Sequence, residues 1–263
     1  MGTGWFMRMG IVACAVLGAA APGCLAWPTP VRFDASGMVR VEAEGFDVRV
    51  SPDLFGEPAV CARVLSTLRA DLGHLDATIP ADVFDLLRER TVFWVESQGA
   101  KVEGGMSGRG MVFHPSAFWL RANGLDPARA GGIEIVRAAD FLAWRDTQPL
   151  MVLHELAHAY HHLIGVDEPG VLTAFTGASE AGLYDAVRRA GRPGDDRVSA
   201  YAMTNSREYF AELSEAYFGR NDFEPFDRAG LRTFDPAGHA AVERLWLLDR
   251  AAIETLMDRS ADR

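Results

Sequence analysis

The chain has 263 residues, 49% hydrophobic and 24% charged, which supplies a sizeable core and excludes a disordered chain. Its net charge of −10, without any run of Lys and Arg, argues against a phosphate-binding surface and therefore against a nucleic-acid partner. Length alone permits one large domain or two small ones.

The opening residues read as an export signal. Arg8 precedes an apolar run, 9–21, that is too short and too rich in Ala and Gly for a membrane span. Two processing routes fit. Cys24-Leu25-Ala26 offers small residues for cleavage before Trp27, giving a signal peptide over 1–26. Ala21-Pro22-Gly23-Cys24 is a degenerate lipoprotein site that would anchor the chain to a membrane at Cys24. Either route predicts an extracytoplasmic protein, secreted or periplasmic. Of three cysteines, Cys14 and Cys24 lie in or beside the signal, so ordinary cleavage leaves Cys61 alone and no internal disulfide.

After an extended lead-in at 27–30, residues 39–50 alternate as strand about a turn at Gly45. Val60, Val64, Leu65, Leu68 and Leu72 predict a helix over 58–75, and a second helix is expected over 81–90. Residues 91–95 read as a buried strand, 99–110 as a glycine-rich loop, and 111–114 and 132–136 as two further strands. From Gln148 the character turns helical, with helices expected over 149–164, 179–189, 206–218 and 236–257. The glycines at 191 and 194 mark a loop. The expected class is α+β, with a small mixed sheet in an α/β part (27–147) and a helical part (148–263) forming one domain over 27–263.

The chemistry is concentrated in His154-Glu155-Leu156-Ala157-His158, followed by His161 and His162. This is HExxH: two imidazoles at i and i+4 face the same way on a helix and can chelate one Zn²⁺, and the intervening glutamate can serve as base for a metal-activated water. The flanking Leu150, Val152, Leu153 and Leu156 bury the helix, where such a set is costly without a metal or partners. A catalytic zinc normally takes a third protein ligand. The metzincin pattern fails, because Ile164 stands where its third histidine belongs. His161 and His162 are poor candidates, since one helix cannot wrap three imidazoles round a tetrahedral ion. Downstream, Glu208 and Glu212 stand at i and i+4 among Tyr209, Phe210, Leu213 and Tyr217. Carboxylates in such a setting need a cation. Glu208 as metal ligand and Glu212 as orienter of a ligand histidine would satisfy both, whereas on a solvated face they would pair with Arg207 or Arg220.

HELAHAYHH with the later YAMTNSREYFAELSEAYF resembles the gluzincin metallopeptidases, most closely the branch holding the catalytic domain of anthrax lethal factor and the bacterial Pro-Pro endopeptidases. The match covers roughly 148–225. The resemblance implies a zincin-like fold, zinc on His154, His158 and Glu208, Glu155 as base, Tyr201 reaching into the site, and Glu212 behind the ligands. A glutamate at 212, where thermolysin-like members carry aspartate, favours the lethal-factor branch. The continuation GRNDFEPF has no chemical assignment.

The reaction so implied is hydrolysis of a peptide bond in a protein or peptide substrate. Glu155 would take the proton of the attacking water, and the Tyr201 hydroxyl would hydrogen-bond the developing oxyanion. The rival reading is a catalytically silent zincin-fold protein that binds zinc at the cell surface. The strand at 132–136 could accept an extended substrate at a sheet edge or could lie inside the sheet. A preference for proline is suggested only by one branch of the resembling family.

Overall fold

The structure is a computed structural model that describes residues 33–34, 36–98, 110–192 and 196–261. The expected signal peptide, both processing routes, the lead-in at 27–30 and most of the 99–110 loop lie outside them.

Five strands make one mixed sheet: β1 (Val39–Ala43), β2 (Phe46–Val50), β3 (Val92–Val95), β4 (Met111–Phe113) and β5 (Ile133–Ile135). Their order is β1-β2-β3-β5-β4. The two central pairings are parallel and the two outer ones antiparallel. The β1–β2 connection is the two-residue turn Glu44-Gly45 with φ of 48° and 85°, the left-handed geometry whose twist suits a tight hairpin. On one face Phe46, Val48, Phe93, Val95, Ile133 and Ile135 are buried in the core. Glu134 points from β5 to the other face, where His114 Nε2 at 2.8 Å and an Arg129 nitrogen at 2.9 Å meet its carboxylate. Burial works to raise the Glu134 pKa, but these two partners outweigh it and hold the carboxyl below its ordinary value. Ile133–Ile135 thus lies inside the sheet, and the edge beyond it is β4.

Helices α1 (Pro52–Phe55), α2 (Pro58–Asp76) and α3 (Ala81–Arg90) follow the hairpin, and α4 (Ala117–Ala122) and α5 (Ala138–Ala143) flank β5. The second half is mostly helical: α6 (Met151–Ile164), α7 (Pro169–Glu180), α8 (Ser206–Phe218), α9 (Arg228–Phe234), α10 (Pro236–Trp246) and α11 (Arg250–Ala261), with a short pair of strands, β6 (Val187–Arg188) and β7 (Arg197–Val198). One contiguous core runs from Val39 in β1 to Ile253 in α11. Among the described residues, no helix is long and apolar enough to cross a membrane.

Two helix expectations need correction. The helix expected at 179–189 is α7, which begins ten residues earlier because Glu168 accepts from Val171 N–H at 2.9 Å and Pro169 takes the first turn. It stops before Gly182, whose φ is +61°, and Val187 pairs with Val198 as strand. The long helix expected at 236–257 is two. Leu247 leaves helical geometry, and Asp249 restarts the chain by accepting from Ala252 N–H at 2.9 Å.

Candidate metal centre

Helix α6 lies between α8 and the edge strand β4 and carries the HExxH residues on the face they share. Leu153, Leu156, Ala157 and Tyr160 bury its other side. Helix α8 arrives with its first turn fixed: the Asn205 side chain accepts from the N–H groups of Arg207 at 2.9 Å and Glu208 at 3.1 Å. That cap aims Glu208 at α6.

Nε2 of His154, Nε2 of His158 and Oε2 of Glu208 form a triangle with all three sides 3.1 Å. The His154 Nδ1 lies 2.7 Å from Glu215 Oε1, so the proton of a neutral ring sits there and its Nε2 presents a lone pair. That lone pair, the carboxylate oxygen and the second imidazole converge on one point, where either a proton or a metal ion would hold them together. The sides are also close to the edge of about 3.4 Å that bonds of roughly 2.1 Å make in a tetrahedron. The donor set therefore fits one metal ion, with room for a further ligand. Without a metal the same carboxylates favour a second proton in its place: burial works against charge on His154, yet Glu208 and Glu215 outweigh it and hold its pKa well above the ordinary value. Burial likewise works to raise Glu208, and the two imidazoles reverse it and hold the carboxyl far below its usual range.

Glu155 is buried beside this cluster, and its Oε2 accepts from the Phe113 backbone N–H at 2.7 Å. Tyr201, in a 3-10 turn over Tyr201–Thr204, sets its ring centroid 6.4 Å from that of His154. A cavity of about 410 Å³ opens over the cluster, walled by Met111, Phe113, Trp144, Tyr201 and Arg207 among others. His162 borders it against the Phe113 ring at 5.5 Å. His161 points away into the core, fully buried at 4.8 Å from the Phe210 ring, and neither of its ring nitrogens has a hydrogen-bond partner. Neither joins the triangle.

Glu212 stands behind His154, with Glu215 closer still. The nearer Glu212 oxygen is 3.7 Å from His154 Nδ1, and the hydrogen bond belongs to Glu215. Both carboxylates are buried. Burial raises both pKa values, and the Glu215 charge lifts Glu212 further. Glu215 could have been found: positions 208, 212 and 215 lie on one stripe of a helix, because seven residues make about two turns. The segment GRNDFEPF also gains a part, since buried Asp222 pairs with Arg189 at 3.0 Å at the cavity wall. No family model matches the chain, and no curated protein or solved structure matches it.

Proposed function

We propose that the chain is an exported zinc metallopeptidase of the gluzincin class, acting on protein or peptide substrates. The observation that carries this reading is the triangle of His154, His158 and Glu208 donor atoms, with Glu155 beside it at an open cavity. Zn²⁺ is the ion this nitrogen and oxygen set suits, and when bound it supplies a Lewis acid that polarises a carbonyl and acidifies water.

The chain's own residues supply the rest. Phe113 N–H holds Glu155 Oε2, which leaves Oε1 to take a proton from the attacking water and return it to the leaving amine. The Tyr201 hydroxyl donates to the oxygen that gains negative charge, without carrying charge itself. Among the described residues, strand β4 pairs on one side only, and its residues line the cavity, so an extended substrate has backbone beside it to align on.

The test is incubation of the zinc-loaded protein with a proteome-derived peptide library, alongside Glu155→Gln. Cleavage by the wild type, and its loss in Glu155→Gln at one zinc per chain, is the expected result. Zinc binding without any cleavage by the wild type overturns the peptidase reading in favour of a zinc-binding protein.

A further inference from the structure

The cavity wall carries a positive charge that the metal cluster does not use. Two arginines border the cavity. Arg189 is neutralised by Asp222 and lies 4.8 Å over the Phe223 ring. Arg207 is exposed at the second position of α8, and among the described residues its guanidinium has no ion pair, side-chain hydrogen bond or ring partner.

Three of the four cavity glutamates are engaged elsewhere, and the fourth, Glu212, is buried 3.7 Å from His154 Nδ1. Glu208, its neighbour in sequence, is turned to His154 and His158 at 3.1 Å, Glu155 is held by Phe113 N–H, and Glu215 is bound to His154. The backbone adds to the same sign: Arg207 sits in the first turn of a 13-residue helix, at the positive end of its dipole. Arg207 is thus an unpaired positive charge at the wall of a cavity that Glu155, Glu208, Glu212 and Glu215 also line, beside the residues that would cut.

We infer that Arg207 is a specificity-determining residue that receives a carboxylate of the substrate close to the scissile bond. The inference rests on the peptidase reading for its reaction, and on the wall charge for its ligand class. A guanidinium takes a carboxylate through two parallel N–H donors, which gives direction as well as attraction. The carboxylate is either an Asp or Glu side chain or the end of the peptide.

The test separates the two sources and also separates this inference from the peptidase reading. Fluorescent octapeptides differing by Glu or Gln at each position, and by a free or amidated C-terminus, are titrated against zinc-loaded Glu155→Gln with Arg207 or Gln at 207. The expected result is about tenfold tighter binding of one acidic peptide over its neutral twin, shrinking as salt is raised. That ratio falls below about twofold with Arg207→Gln and is partly kept with Arg207→Lys. Arg207 is exposed and unpartnered, so both variants keep the wild-type thermal midpoint. If the preference follows Glu at an internal position, the ligand is a side chain; if it follows the free terminus, it is the chain end. Equal binding of acidic and neutral twins, or a preference that survives Arg207→Gln, overturns the inference while cleavage by the wild type leaves the peptidase reading standing. Acid preference without cleavage overturns the peptidase reading alone. Failure of every peptide to bind, with no cleavage of the library by the wild type, overturns both.

Discussion

His154 Nδ1 and Glu215 Oε1 are 2.7 Å apart, and this bond decides which nitrogen of His154 is available to a metal. A carboxylate behind a ligand histidine fixes its tautomer and raises its basicity. Glu215→Gln should therefore weaken zinc binding by about 10- to 100-fold, whereas Glu212→Gln, 3.7 Å from the same nitrogen, should weaken it less. Chelator competition on the two variants measures the difference. A larger loss in Glu212→Gln would return the orienting role to that residue.

Tyr201→Phe removes only the hydroxyl. If that hydroxyl stabilises the developing oxyanion, kcat should fall by roughly 10²- to 10³-fold, with zinc content and KM near wild type. Loss of zinc in this variant would make Tyr201 a structural support of the site.

The His161 imidazole is pushed down to about 4 by burial, with the charge of His158 acting the same way. The folded protein binds this proton more weakly than the unfolded chain, where a histidine titrates near 6.5. Its neutral form is compatible with full stability above about pH 6.5, and stability is lost as pH falls from there toward 4. The full effect is roughly 3 kcal/mol. Urea unfolding of wild type and His161→Leu at pH 7 and pH 5 should show a smaller acid loss in the variant. Metal release affects both chains alike, so an equal loss in the two would clear His161 of the effect.

Trp246 Nε1 donates to Ser214 Oγ at 2.9 Å, and the Tyr160 ring lies 4.9 Å from the indole. Three helices, α6, α8 and α10, meet at this point. Ser214→Ala leaves a buried donor unsatisfied and should cost about 1–3 kcal/mol of stability in urea unfolding. Activity per folded molecule should be unchanged, since Ser214 lies on the side of α8 away from the cavity.

Local signals told most of the secondary structure. The hairpin at 39–50, α2, α3 and β3 follow from strict periodicity and from a turn that glycine makes possible. α8 was legible from Tyr209, Phe210, Leu213 and Tyr217 around its glutamates, while its Asn205 cap is a feature of the fold. α7 was misplaced because Leu183 and Val187 continue a helical spacing past Gly182, while the stronger start signal at Glu168-Pro169 went unused. Sheet order depends on contacts distant in sequence, so nothing local separates β5, which lies inside, from β4, which forms the edge. The two histidines and Glu208 were readable as donors by type and spacing. Glu215 stands one turn past Glu212 on the same stripe, so spacing alone leaves the two carboxylates equivalent. Arg207 draws its interest from what the acids around it are doing, which only the folded arrangement displays.

The donor that holds Glu155 belongs to the main chain of Phe113, so it survives any side-chain replacement at 113 and is deleted only by proline. The neighbouring His114 N–H faces the other way, to Gly132 O at 2.9 Å, so a slip of β4 by one residue would leave no donor for the carboxylate. The aim of a helix residue is in this way written into the pairing of a strand 42 positions earlier in the chain. Any change that loosens the Met111–Phe113 pairing with β5 should blunt the proposed base Glu155 before it disturbs the proposed ligands His154, His158 and Glu208.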